Sequence, residues 1–274
     1  MVSYLEIFDL ATGDSSTLFK TARHIEAPNW TPSGADLIVN GDGKLFRVPI
    51  HAPDLLMIDT GLHASLNNDH GISPDGQTLV ICDKTLTPHS CIYTMPAGGG
   101  LPTRITDKTP SWWHGWSPAG ERLAYTVVRD GEFGIATIPV SGGSEALLIR
   151  SPHHYDGPDY TPDGQWIWFN SDRGGSMDLW RMRIDGTEPE QMTDDAAVNW
   201  FPHPSPDGGH VLYLAYPEGT EGHPPDREVS LRLIDLDSRK TCILTTLWGG
   251  QGTLNVPCWS PDSQRFAYMR YARP

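Results

Sequence analysis

The chain has 274 residues, with 34 Asp and Glu against 20 Lys and Arg, and a net charge of −14. That balance excludes a nucleic-acid binder, because phosphate contacts need a basic surface. No segment is long and apolar enough for a membrane-spanning helix, and the four cysteines, without any Cys-x-x-Cys spacing, read as reduced thiols.

In chain order, two strand-like runs come first, "YLEIFDL" and "SSTLFK", with no partner nearby in sequence. Then a unit begins that is written six times. Each copy opens on a Ser/Thr-Pro-x-Gly-like turn, in which Pro presets φ at the second position and Gly suits the fourth. The six openings are "NWTPSGADLIVN", "HGISPDGQTLVICD", "HGWSPAGERLAYTVV", "DYTPDGQWIWFNSD", "HPSPDGGHVLYLAY" and "CWSPDSQRFAYMRY". After the apolar strand of each opening come a polar loop, a third strand such as "CIYTMPA" or "GIATIPV", and an outer strand such as "EALLIR" or "CILTTL".

The repeat prolines are Pro32, Pro74, Pro118, Pro162, Pro206 and Pro261, at intervals of 42, 44, 44, 44 and 55 residues, and the two chain ends together make a further interval of 45. A period near this length with four strands per unit is the mark of a β-propeller. The sixth unit lacks its last two strands, and the two N-terminal runs supply them. The expectation is one all-β domain over 1–274, a six-bladed propeller of four-stranded antiparallel blades. Blade 6 is shared between 1–20 and 253–271, a closure that removes exposed sheet edges.

The "W-S-P-D-G" repeat resembles the TolB-type propeller family, and more distantly the propellers of prolyl-oligopeptidase-like peptidases. The resemblance covers the whole chain and implies fold far more than function. TolB proper has a secretion signal and an extra N-terminal domain, and works with Tol and Pal envelope proteins. Here "MVSYLEIFDLATG" shows neither a basic n-region nor an apolar h-region. The expectation is therefore a short, cytoplasmic, bacterial form without Tol–Pal partners.

No Gly-x-Ser-x-Gly, Walker, Gly-x-Gly-x-x-Gly or His-Glu-x-x-His motif is present. Any site must therefore be assembled from several blades. Loops leading into the innermost strands open on one face, at the mouth of the central channel. Six residues before the repeat prolines stand Glu26, Asn68, Trp112, Asp156, Trp200 and Asn255. Neighbouring mouth candidates are Asn29, Asp69, Trp113, Asp159, Asn199 and Gln251, with His70, His114 and His203 three or four residues before their prolines. Strand alternation would turn His70 and His203 to different sides unless a bulge intervenes. The loops after the second strands bring Arg129 and Arg173 to the same face.

Carboxylates, amides and indoles together suit a small polar ligand, a carbohydrate or uronate: indoles stack on sugar rings and amides bind hydroxyls. An enzymatic alternative uses Glu26 and Asp156 as an acid/base pair facing each other across the ring, with His114 between them. Another places a divalent metal (Mn, Zn or Ca) on His70, His114 and His203. Oligogalacturonate lyases are similar in building a histidine-rich metal site on a TolB-like propeller, although with seven blades. A protein-interaction scaffold is a third reading. The loop "YPEGTEGHPPDREVS", over 216–229, carries the insertion behind the 55-residue interval and is either a lid over the mouth or a surface excursion.

Overall fold

The computed structural model describes residues 2–273. Five antiparallel sheets of four strands and one of three are arranged as blades. Regular helix is limited to one short 3₁₀ turn, Gln251–Thr253, among the described residues. The innermost strands of blades 1 to 5 are Glu26–Trp30, Leu66–Ile72, Ser111–Trp116, Tyr155–Tyr160 and Val198–Pro204. Each pairs with the apolar strand that follows its turn, and the strands then step outward in sequence order.

Closure follows the expected route. Ser3–Asp9 lies between Arg265–Tyr271 and Asp14–Thr21, pairing with both in antiparallel register. Blade 6 differs from its siblings at the axis. Its innermost segment makes only an isolated bridge, Trp259 to Phe266. Pro257 lacks an N–H for a ladder. Leu254, Asn255, Val256 and Cys258 are all fully buried, so this segment wedges between neighbouring blades and has no free face to present.

The repeated turns work as a second ring. The N–H of Gly34, Gly76, Gly120, Gly164 and Gly208 each returns to the carbonyl three residues earlier, at 2.8–2.9 Å. All five glycines have φ between 66° and 75°, and Ser263 takes the same left-handed place in blade 6. Each turn also leans on the previous blade's proline: a Cβ added at Gly76 would lie 3.8 Å from Pro32, and one at Gly34 would lie 3.9 Å from Pro261. The last turn therefore packs on the first as it would on any neighbour. Outer strands shrink to two or three residues in blades 1, 2 and 4 (Leu56–Ile58, Thr103–Arg104, Glu190–Gln191), which leaves little edge open to pairing.

Every innermost strand in blades 1 to 5 carries a register shift just above the channel. In three blades the residue five before the proline has positive φ: Ala27 at 56°, Gly157 at 60° and Phe201 at 54°. These bulges break strict alternation and re-aim side chains at the rim.

Candidate functional site

The mouth opens on the expected face as a cavity of about 510 Å³. Of the residues singled out from sequence, Glu26, Asn68, Asp69, Trp112, His114, Asp156 and Gln251 line it. Asn40, Asp42, Thr126, Phe133, His154 and His223 join them. Thr126 and Phe133 come from the second and third strands of blade 3, outside the loops before the turns, so the repeat position does not mark them. Strand alternation through "AYTVV" could have pointed to Thr126.

The centre of the cavity is the Asp156 carboxylate. Its Oδ1 accepts from the Thr126 hydroxyl at 2.8 Å, the Gly157 N–H at 2.9 Å and His114 Nε2 at 3.0 Å. His154 Nε2 and His223 Nε2 approach Oδ2 at 3.9 and 3.8 Å. His114 Nδ1 lies 3.2 Å from the carbonyl of Asn255, across the axis on blade 6. A carbonyl only accepts, so Nδ1 must carry a proton while Nε2 donates to Asp156, and the imidazole is a cation. Burial opposes that charge, but Asp156 overrides it, and the His114 pKa rises to about 9. Burial likewise opposes ionisation of Asp156, and His114 reverses the balance, holding the carboxyl well below its ordinary range.

Asp69 sits on the other side of His114. It accepts from Asn255 Nδ2 at 3.1 Å and from Asn67 Nδ2. Asn255 also donates to the Asn68 carbonyl at 3.2 Å, which ties blade 6 to blade 2. Burial lifts Asp69 to about 6 against the pull of the His114 charge. The mouth thus holds one carboxylate locked in ionised form and another whose proton is exchangeable near neutrality. Asp156 is thus held as a carboxylate, an acceptor at the centre of the cavity. Glu26, in blade 1, reaches the same cavity, with His24 Nε2 3.2 Å from its Oε1.

Other expected residues lie elsewhere. Asn29, Trp113 and Asp159 line a separate cavity of about 370 Å³ on the opposite face, among the six repeat prolines and Trp30, Trp116 and Trp259. Asn29 Oδ1 accepts from the Ile72 N–H at 2.9 Å and stitches blade 1 to blade 2. Trp200 and Asn255 are buried and line neither cavity, and Asn199 is spent on Asp178, Thr193 and Asp195. Arg129 is consumed in blade 3 by Glu145 at 2.6 Å, Pro110 and Ser111. Arg173 lies over the Trp180 ring. Neither arginine lines the mouth.

The three histidines expected around a metal do not converge. His114 has both nitrogens engaged as above. His203 points its Nδ1 at Asp159 Oδ2, 3.1 Å away, with Nε2 buried and unpartnered. His70 is buried with neither nitrogen bonded, and burial lowers its pKa to about 3. Among the described residues no group of three or more His, Cys, Asp or Glu is arranged to hold a metal ion. The Mn, Zn or Ca site therefore does not fit these side chains.

The 216–229 loop resolves in favour of contact with the mouth. His223 packs edge-on to Trp200 at 4.4 Å and to Phe201 at 5.4 Å while facing Asp156. The Tyr216 hydroxyl donates to the Pro224 carbonyl at 3.1 Å and fastens the loop at its base.

Six blades closed by their own termini, with a polar mouth roofed in part by one blade's insertion, define a propeller of the TolB class. The family model described as TolB beta propeller domain matches residues 110–247. A protein of Agrobacterium fabrum strain C58 is 44% identical over 272 residues, covering 99% of this chain and 93% of that one. The chain belongs to the TolB β-propeller family. The structure of a putative TolB from Agrobacterium tumefaciens superimposes with a TM-score of 0.98 at 44% identity, covering 100% of this chain and 99% of that one. The Tol-Pal system protein TolB of Francisella tularensis is 24% identical over 255 residues, and the match spans 90% of this chain but 56% of TolB. An oligogalacturonate lyase in complex with manganese shares the fold at a TM-score of 0.56 and 12% identity, over 89% of this chain and 67% of that one.

Proposed function

We propose that this propeller binds a small hydroxyl-rich ligand, a carbohydrate, in the mouth cavity. The observation that carries the reading is the lining itself. Asn40, Asn68 and Gln251 offer amides, Asp69 and Asp156 offer carboxylates, and the Trp112 and Phe133 rings stand among them. Rings pack on the apolar faces of a sugar while amides and carboxylates take its hydroxyls. Glu26, Asp42, Asp69 and Asp156 outnumber the His114 cation. Like-charge repulsion therefore favours a neutral sugar over a uronate. The protein works in the cytoplasm on this reading, in keeping with its four free thiols.

The test is thermal unfolding with glucose, N-acetylglucosamine and galacturonate. A neutral sugar at about a hundred times its Kd stabilises the fold by about 2.7 kcal/mol, a shift of roughly 5 °C for a domain of this size. Trp112→Ala, at a half-buried position, abolishes the shift with little loss of basal stability. The reading fails if no sugar moves the transition, or if the variant shifts as the parent does.

A further inference from the structure

We infer that the mouth is the first of two adjoining subsites, and that the ligand is an elongated chain of at least two linked sugar rings. This rests on the carbohydrate reading above and extends it. Beside the mouth lies a second cavity of about 370 Å³, between the first and sixth blades and beneath the insertion loop. Three elements wall both cavities. Glu26 lines each of them; His223 faces the mouth while Pro225 and Asp226 face the cleft; Gln251 faces the mouth while Gly250 and Gly252 face the cleft.

The junction depends on missing side chains. A Cβ on Gly250, whose φ is 140°, would fall 2.5 Å from the Pro224 carbonyl and 2.6 Å from Pro225 Cα. A Cβ on Gly252 would collide with the Glu26 carboxyl. Bare backbone at these places seats the loop and leaves Glu26 at the boundary of the two cavities. The cleft is more apolar than the mouth, a surface for the face of a sugar ring, and its polar groups sit at the walls. His24 tilts against Tyr271 with ring centroids 5.1 Å apart and pairs with Glu26, and the Asp226 carboxyl stands opposite on the loop. Each cavity falls in the range that accepts a small ligand. A linked pair of rings passing Glu26 occupies both, with the loop across the linkage.

The experiment is calorimetric titration with two series: glucose, cellobiose and cellotriose, then N-acetylglucosamine with its β-1,4-linked dimer and trimer. In at least one series affinity rises about tenfold or more from monomer to dimer and less than about threefold from dimer to trimer. Asp226→Gly removes the cleft carboxylate without opposing the left-handed backbone there, where φ is 56°. In that variant the monomer-to-dimer gain falls below about threefold. Equal affinities along every series that binds overturn the second subsite and leave the mouth reading standing. Absence of binding at every length in both series overturns both.

Discussion

Replacing His114 by Gln tests the charge state on which the mouth is built. In the native protein both imidazole nitrogens donate, to Asp156 at 3.0 Å and to the Asn255 carbonyl at 3.2 Å. Removing one partner of a buried pair costs about 3–5 kcal/mol because the other charge is stranded. Asp156 keeps its bonds from Thr126 and Gly157, so the lower end of that range applies near pH 7. The pKa of His114 is raised from 6.5 to about 9. Its stabilising contribution is whole below pH 6.5 and disappears as pH climbs through about 9. At 1.36 kcal/mol per unit, that contribution amounts to about 3 kcal/mol. The cost of His114→Gln should therefore shrink by about 2.5 kcal/mol between pH 7 and roughly pH 10.5. Urea unfolding of parent and variant at both pH values measures it, and tyrosine, lysine and thiol titrations cancel in the difference. An equal cost at the two pH values would mean a neutral His114 at pH 7 and would refute the ion pair.

Gly71→Ala should cost about 1–3 kcal/mol, since its Cβ would run into the fully buried Trp113 ring; an unchanged calorimetric transition would contradict that packing. Deleting residues 1–9 removes a strand paired on both sides, and the product should aggregate or lose its cooperative transition. A monomer by gel filtration with the parent's melting temperature would show that the ring does not depend on this strand.

The blade count, the order of strands and the closure were legible because they are local facts repeated. A Pro–Gly turn followed by an apolar strand reads the same in every unit, and a fixed period makes the ends meet. The mouth was half legible. Glu26 and Asp156 could be placed there because equivalent positions in opposite blades point to a common axis. His70 and His203 could not, because the bulges above the channel change which residue turns inward, and a bulge is decided by contacts with the next blade. Trp113 illustrates this: it abandons the mouth to fill the space that Gly71 leaves in the neighbouring blade. Arg129 had a nearer partner in Glu145, sixteen residues on and on its own blade's outer side, and nothing in the local sequence announces that pairing.

Sequence alone thus determined the ring, since periodic turns and alternating strands are fixed by chemistry within a few residues. Tertiary structure alone decided the contents of the mouth. Blade 3 had to meet blade 6 across the axis before His114 could find the Asn255 carbonyl. The insertion of blade 5 had to fold back over blade 4 before His223 could face Asp156. Those contacts join residues 141 and 67 positions apart in the chain, and burial in the closed ring sets the charge each group carries.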